Sequence, residues 1–186
     1  MENSIVKDVE EFNKFKREST VAELREHFYR EPEPDEEFRP MVTAWGLSEY
    51  YEISRKGHLR DIGTEKYRTW TSRSKLNSYP NFSSIMISPQ IRLPFQVHRL
   101  VAQTYWNEVH QPDWVKKLFS LCDEELKFKL ITELLVVDHI DNNGWNPEVS
   151  NLCWTSAAEN SRNGVINFNK AKGANIRKLM EERDTL

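Results

Sequence analysis

Apolar residues recur at helical spacing near the start of the chain, at Ile5, Val9, Phe12 and Phe15, then Val21, Leu24 and Phe28. Positions three and four apart share one helix face, so residues 5–29 predict one or two amphipathic helices. Arg30 to Glu37 breaks the pattern with two prolines and five acids. Proline removes backbone donors and like charges repel, which predicts an extended connector and a boundary near residue 40. Beyond Trp45 the apolar residues fall into short β-like pieces at Tyr50–Ser54, Lys66–Thr71 and Ser83–Ser88, with turn chemistry at Lys56-Gly57 and Pro80-Asn81.

Helical spacing returns at Phe95–Tyr105 and again over residues 112–135. In the latter, Pro112 suits a first turn, Asp123 can cap, and Leu126, Leu130 and Leu134 repeat at i+4. Leu135-Val136-Val137 is a short apolar strand that runs into an Asp/Asn/Gly-rich turn, and Leu152-Cys153-Trp154 is a second strand. Ser156 and Glu159 then have capping-box spacing for a helix that ends at Gly164, and a basic helix is expected over Ala174–Arg183. The fold class expected is α+β, with Trp45, Tyr105 and Trp154 as core aromatics.

With 38% hydrophobic and 11% aromatic residues, the 186-residue chain can build a core despite a mean hydropathy of −0.71. No stretch approaches the ~20 apolar residues of a membrane helix, and the polar start does not read as a signal peptide, so no membrane partner and a cytoplasmic setting are expected. Cys122 and Cys153 are too few for a disulfide scaffold and lack zinc-site spacing. A formal charge of −3 counts by itself against a nucleic-acid partner, because phosphate affinity comes from Lys and Arg. The charge is unevenly distributed, however: −5 over residues 1–40, +4 over 41–110, −4 over 111–150 and +2 over 151–186. A local basic surface is all that phosphate contact requires.

Asp138 and His139 stand together where a strand meets a loop. There a carboxylate can hold a divalent cation while an imidazole takes a proton from water. Strand neighbours point to opposite faces, so the two can share a site only if the chain turns at that point. Asn160, four residues beyond Ser156, could offer an oxygen to the same hard cation if the helix packs on the strands. Asn151 can bridge backbone groups across the loop. Asp141 is read as a loop cap.

The run VDHIDNNGWNPEVSNLCWTSAAENSRN, from Val137 to Asn163, resembles the phage-type HNH nuclease motif. VHRLVAQTYW, from Val97 to Trp106, resembles the segment that precedes it in phage HNH homing endonucleases. Trp45 with Tyr50 to Arg60 resembles a small DNA-contacting module fused in front of such nucleases. Asn142 and Cys153 stand where the family often has Gly and Arg.

The resemblance implies a ββα-metal (HNH, His-Me finger) core at residues 93–164, with a helical insertion at 111–135. A β-rich DNA-contacting module at 41–92, an acidic arm at 1–40 and a basic tail at 165–186 complete the expected organisation. It also implies Mg²⁺- or Mn²⁺-dependent hydrolysis of double-stranded DNA, nicking one strand at a time. His139 would be the general base, Asp138 and Asn160 the metal ligands, and Asn151 the structural middle residue. Arg92, His98, Arg99, Arg162, Lys170 and Lys172 are the candidate DNA contacts, with His98 equally suited to orienting the loop. A phage-encoded chain would act in the host cytoplasm. The alternative is an inactive HNH-fold module that binds DNA or, through its acidic arm, another protein. The acidic arm could equally cover the basic DNA face and inhibit the nuclease.

Overall fold

The computed structural model describes residues 14–15, 18–71 and 79–163. The helix expected before residue 14, the stop at Gly164 and the basic helix at Ala174–Arg183 lie outside them. The described residues form an α+β fold, with one four-stranded and two two-stranded antiparallel sheets among them.

Helix α1 (Val21–Phe28) opens with a capping box. Thr20 Oγ1 accepts from the Glu23 N–H at 3.2 Å, and the Glu23 carboxylate accepts from the Thr20 N–H at 2.5 Å. The connector then runs along the first sheet, a meander of β1 (Phe38–Thr43), β2 (Gly46–Ser54), β3 (Leu59–Asp61) and β4 (Tyr67–Arg68). Its acids do not simply repel one another. Glu33 reaches Lys56 at 2.7 Å, Glu36 reaches His58 at 2.6 Å between two buried side chains, and Glu37 pairs with Arg55. The rings of Tyr29 and Trp70 meet edge to face at 5.0 Å, and Phe28 stacks near Trp145 at 6.1 Å.

Strand β1 slips register between Pro40 and Val42, and the Val42 N–H donates instead to Thr104 Oγ1 at 3.0 Å. Proline has no donor for the ladder, so a bulge at this point costs little. The expected boundary at residue 40 therefore falls inside a strand. A boundary at 92 does so as well, because β5 (Asn81–Ser88) and β6 (Ile91–Gln96) form a hairpin. Helix α2 (Val97–Thr104) follows directly, and all its residues except Arg99 are buried. It lies at the centre of one continuous apolar cluster that joins Met41, Ile53, Phe82 and Leu100 to Val137 and Trp154.

Several expectations need correction. Phe95 belongs to β6, opposite Phe82, so the helix starts only at Val97. Of Lys66–Thr71, only Tyr67–Arg68 is strand, with Thr71 bridging Asn81. Trp45 is 59% exposed at the β1–β2 turn, where its ring lies edge to face with Phe95. Tyr105 and Trp154 are buried as expected.

The insertion comprises α3 (Asp113–Ser120), α4 (Glu124–Lys129) and a π-helical turn (Leu130–Leu134). Asp123 caps α4, its Oδ1 accepting from the Leu126 N–H at 2.8 Å. The chain then forms the third sheet, β7 (Val136–His139) against β8 (Leu152–Thr155), with a 3-10 turn (Val149–Asn151) between them. His110 covers the outer edge of β8: its N–H donates to Leu152 O and its carbonyl accepts from the Trp154 N–H. Residues 157–163 are helical.

Candidate active site

In the third sheet Asp138 lies opposite Cys153 and His139 opposite Leu152. Strand β7 buries Val137 and His139 and leaves Val136 and Asp138 half-buried, the alternation a pleated strand requires. The turn follows immediately. The Asn142 N–H donates to His139 O at 3.0 Å, and Asn142 adopts φ +58°. That left-handed conformation favours Gly but is tolerated by Asn, so Asn142 keeps the turn.

Asp141 and Asn151 brace the loop. Asp141 Oδ1 accepts from the Asn143 N–H at 2.7 Å and from Asn151 Nδ2 at 2.9 Å, while its Oδ2 accepts from Asn146 Nδ2 at 2.9 Å. Asn151 Oδ1 accepts from the Asp141 N–H, its Nδ2 also donates to Asn146 O, and its carbonyl accepts from the Ile140 N–H. Asp141 is thus the hub of the loop, more than a cap.

Ser156 and Glu159 form the expected box, with Ser156 Oγ accepting from the Glu159 N–H at 3.2 Å. The helix meets Asp138 through Asn163, whose Nδ2 donates to Asp138 Oδ2 at 3.2 Å. Asp138 Oδ1 accepts from the His139 N–H at 2.9 Å. Asn160 lies one turn back on the same helix face. Its side chain makes no hydrogen bond to the described residues.

His139 is buried within a group of rings. Tyr79 stacks on it at 5.5 Å and 15°, and His98 meets it edge to face at 4.8 Å. His98, read from the sequence as either a loop-orienting residue or a DNA contact, is 4% exposed and lies against the His139 ring. Burial, then the charges of His139 and Arg99, hold its pKa well below the usual histidine value, keeping it neutral. Burial and the nearby Asp138 carboxylate raise the Tyr79 phenol.

Burial also lowers the Arg99 guanidinium, which has no hydrogen bond or ion pair among the described residues. Arg92 is exposed on β6 with Nη2 3.7 Å from Met86 Sδ, and Arg162 is exposed on the last helix. Lys170 and Lys172 lie outside the described residues. Cys153 is half-buried, and burial followed by the charges of Asp138 and Glu159 raises its thiol, which favours the protonated form.

The groups available to a metal are the Asp138 carboxylate and the amide of Asn160, with Asn163 beside them. Oxygen donors with a single carboxylate suit a hard cation that keeps several waters. The described residues contain no cluster of three His, Cys, Asp or Glu able to cage a metal. Sequence reasoning missed Asn163 and Tyr79. The helical spacing from Asn160 could have pointed to Asn163, whereas nothing near Tyr79 signals its role.

No family model and no curated protein matches the chain. A solved structure described as "DNA binding and cleavage by the HNH homing endonuclease I-HmuI" is similar at 22% identity and a TM-score of 0.48. The similarity covers 74% of this chain and 65% of that one, so the chain spans less than two thirds of that structure's length. Over that part, the chain is similar to an HNH homing endonuclease.

Proposed function

We propose that the chain is a divalent-cation-dependent DNA endonuclease of the HNH type that hydrolyses phosphodiesters and nicks one strand at a time. The observation that supports it most is the Asn163 hydrogen bond that ties the following helix to Asp138, the strand neighbour of His139, so that the hairpin and that helix carry three groups. These are the Asp138 carboxylate, the ring-packed His139 and the helix face that carries Asn160 and Asn163.

In this reading His139 takes a proton from the attacking water as its oxygen bonds to phosphorus and the bond to the leaving oxygen breaks. Asp138 and Asn160 would hold the cation, and the chemistry supplied there is neutralisation of charge on the phosphate and leaving oxygen. Arg99 would neutralise a phosphate oxygen with a guanidinium that no acid among the described residues pairs with. Asn151 and Asp141 keep the loop from drifting. Arg92 and Arg162 would track the DNA backbone. A single site acts on one phosphodiester at a time, which is why nicking is expected.

The test is supercoiled plasmid with Mg²⁺ or Mn²⁺, comparing wild type with His139→Ala. Wild type should give relaxed circles, and the variant should lose about 10²- to 10⁴-fold in rate, the usual contribution of a general base. No cleavage with any divalent ion, or an unchanged variant, would overturn the assignment. Direct linearisation by a demonstrated monomer would overturn nicking.

A further inference from the structure

We infer that Tyr79 is a positioning residue for His139, and that position 144 is glycine because the Tyr79 ring occupies the space a side chain would need. This rests on the reading of His139 as the base. The Tyr79 ring lies nearly parallel to His139 at 5.5 Å and 15°. His98 closes the triangle, 4.8 Å from His139 and 4.6 Å from Tyr79. Turning the His139 ring about its Cβ–Cγ bond would move it relative to both of these neighbouring rings. His98 Nδ1 is buried without a hydrogen-bond partner, so His98 supports its neighbours by ring contact and not through that nitrogen.

The loop closes this arrangement from outside. A Cβ on Gly144 would stand 2.7 Å from Cε1 and 2.8 Å from Cδ1 of the Tyr79 ring, closer than packed carbon atoms approach. Gly144 does not adopt a left-handed φ, so its backbone accepts alanine and the conflict falls entirely on Tyr79. The loop is pinned beside it, with the Trp145 N–H donating to Asn143 Oδ1 at 3.0 Å. Tyr79, 36% exposed, has solvent to swing into. Adding a methyl group at 144 should therefore move the ring off His139 and leave the loop in place. A general base that wanders from its water loses the benefit of prepaid orientation, so the loss belongs in the chemical step.

The experiment compares Tyr79→Ala, Tyr79→Phe, Gly144→Ala and the Tyr79→Ala/Gly144→Ala double variant for nicking at saturating DNA and Mg²⁺, with Tm recorded for each. Tyr79→Ala should lower kcat about ten- to a hundredfold with KM nearly unchanged, since misplacement on the ångström scale costs about a hundredfold. Tyr79→Phe keeps the ring and should restore kcat. Gly144→Ala should fall like Tyr79→Ala, and the double variant no further.

An unchanged kcat in Tyr79→Ala would overturn the inference. So would a Tyr79→Phe variant as impaired as Tyr79→Ala, or losses that multiply in the double variant. Proton NMR of the His139 ring gives a readout independent of activity and of the alanine variant's folding. Its signals should lose the ring-current shift from Tyr79 in Tyr79→Leu and Gly144→Ala, and unchanged shifts would also overturn the inference. If wild type cuts nothing, the nuclease reading fails, while the NMR result still decides whether Tyr79 and Gly144 fix that ring.

Discussion

At position 142 the backbone adopts φ +58°, a conformation that costs most L-residues about 1–2 kcal/mol and glycine almost nothing. Replacing Asn142 by Gly or by Ala removes the same side-chain amide, so comparing the two isolates the backbone. Asn142→Gly should be more stable than Asn142→Ala by about 1 kcal/mol in urea unfolding. Equal midpoints would show that the turn relaxes. At this scale the sequence was most legible where chemistry is local. Asp141, Asn143 and Asn146 fold the loop with side chains that bond backbone groups two residues on, and Ser156 with Glu159 starts the helix within one turn. Tyr79 was illegible because its partners come from two distant segments, His98 on α2 and His139 with Gly144 at the end of β7 and its loop, and a lone Tyr beside Pro80 signals only a turn.

Most helices and strands were found from their periodicity, and one of the departures has a physical cause in the helix geometry. The i+4 spacing of Leu126, Leu130 and Leu134 assumes 3.6 residues per turn, but the chain enters a π-helical turn at Leu130, where the Leu135 N–H donates to Leu130 O. The wider turn rotates the buried face. Leu126 and Leu134 end up 45% and 65% exposed, while Leu130, Ile131 and Leu135 enter the core. Ile131→Ala should cost about 2–4 kcal/mol. Leu134→Gln should stay within about 0.5 kcal/mol, as an exposed surface change does. Thermal melts that reversed this order would restore the regular helix.

For the whole molecule, charge blocks suggested a separable arm, whereas the connector is bound into the packing. Burial pushes the Glu36 carboxyl up, but hydrogen bonds from Ser54 and His58 and the charge on His58 outweigh it, leaving its pKa below the usual value. A carboxyl lowered on folding stabilises the protein above its unfolded pKa, near 4.3, and that stability is lost as pH falls through the folded value. Glu36→Gln should therefore be less stable than wild type at pH 7, with the gap closing below about pH 4. A gap independent of pH in denaturant titrations would mean that Glu36 acts by shape alone. Glu33, Glu36 and Glu37 engage Lys56, His58 and Arg55 on the turn between β2 and β3. Net charge summed over long blocks could not show this pairing, because it depends on which residues fold against which.

The hydrogen bonds that His110 makes along β8 have a consequence for association. With β7 on one side and His110 on the other, β8 offers no unpaired backbone row to an incoming peptide. Exposed strand edges are where chains add to one another and aggregate. The segment leading into the helical insertion therefore shields one side of the hairpin that carries Asp138 and His139, and a second copy cannot extend the sheet there.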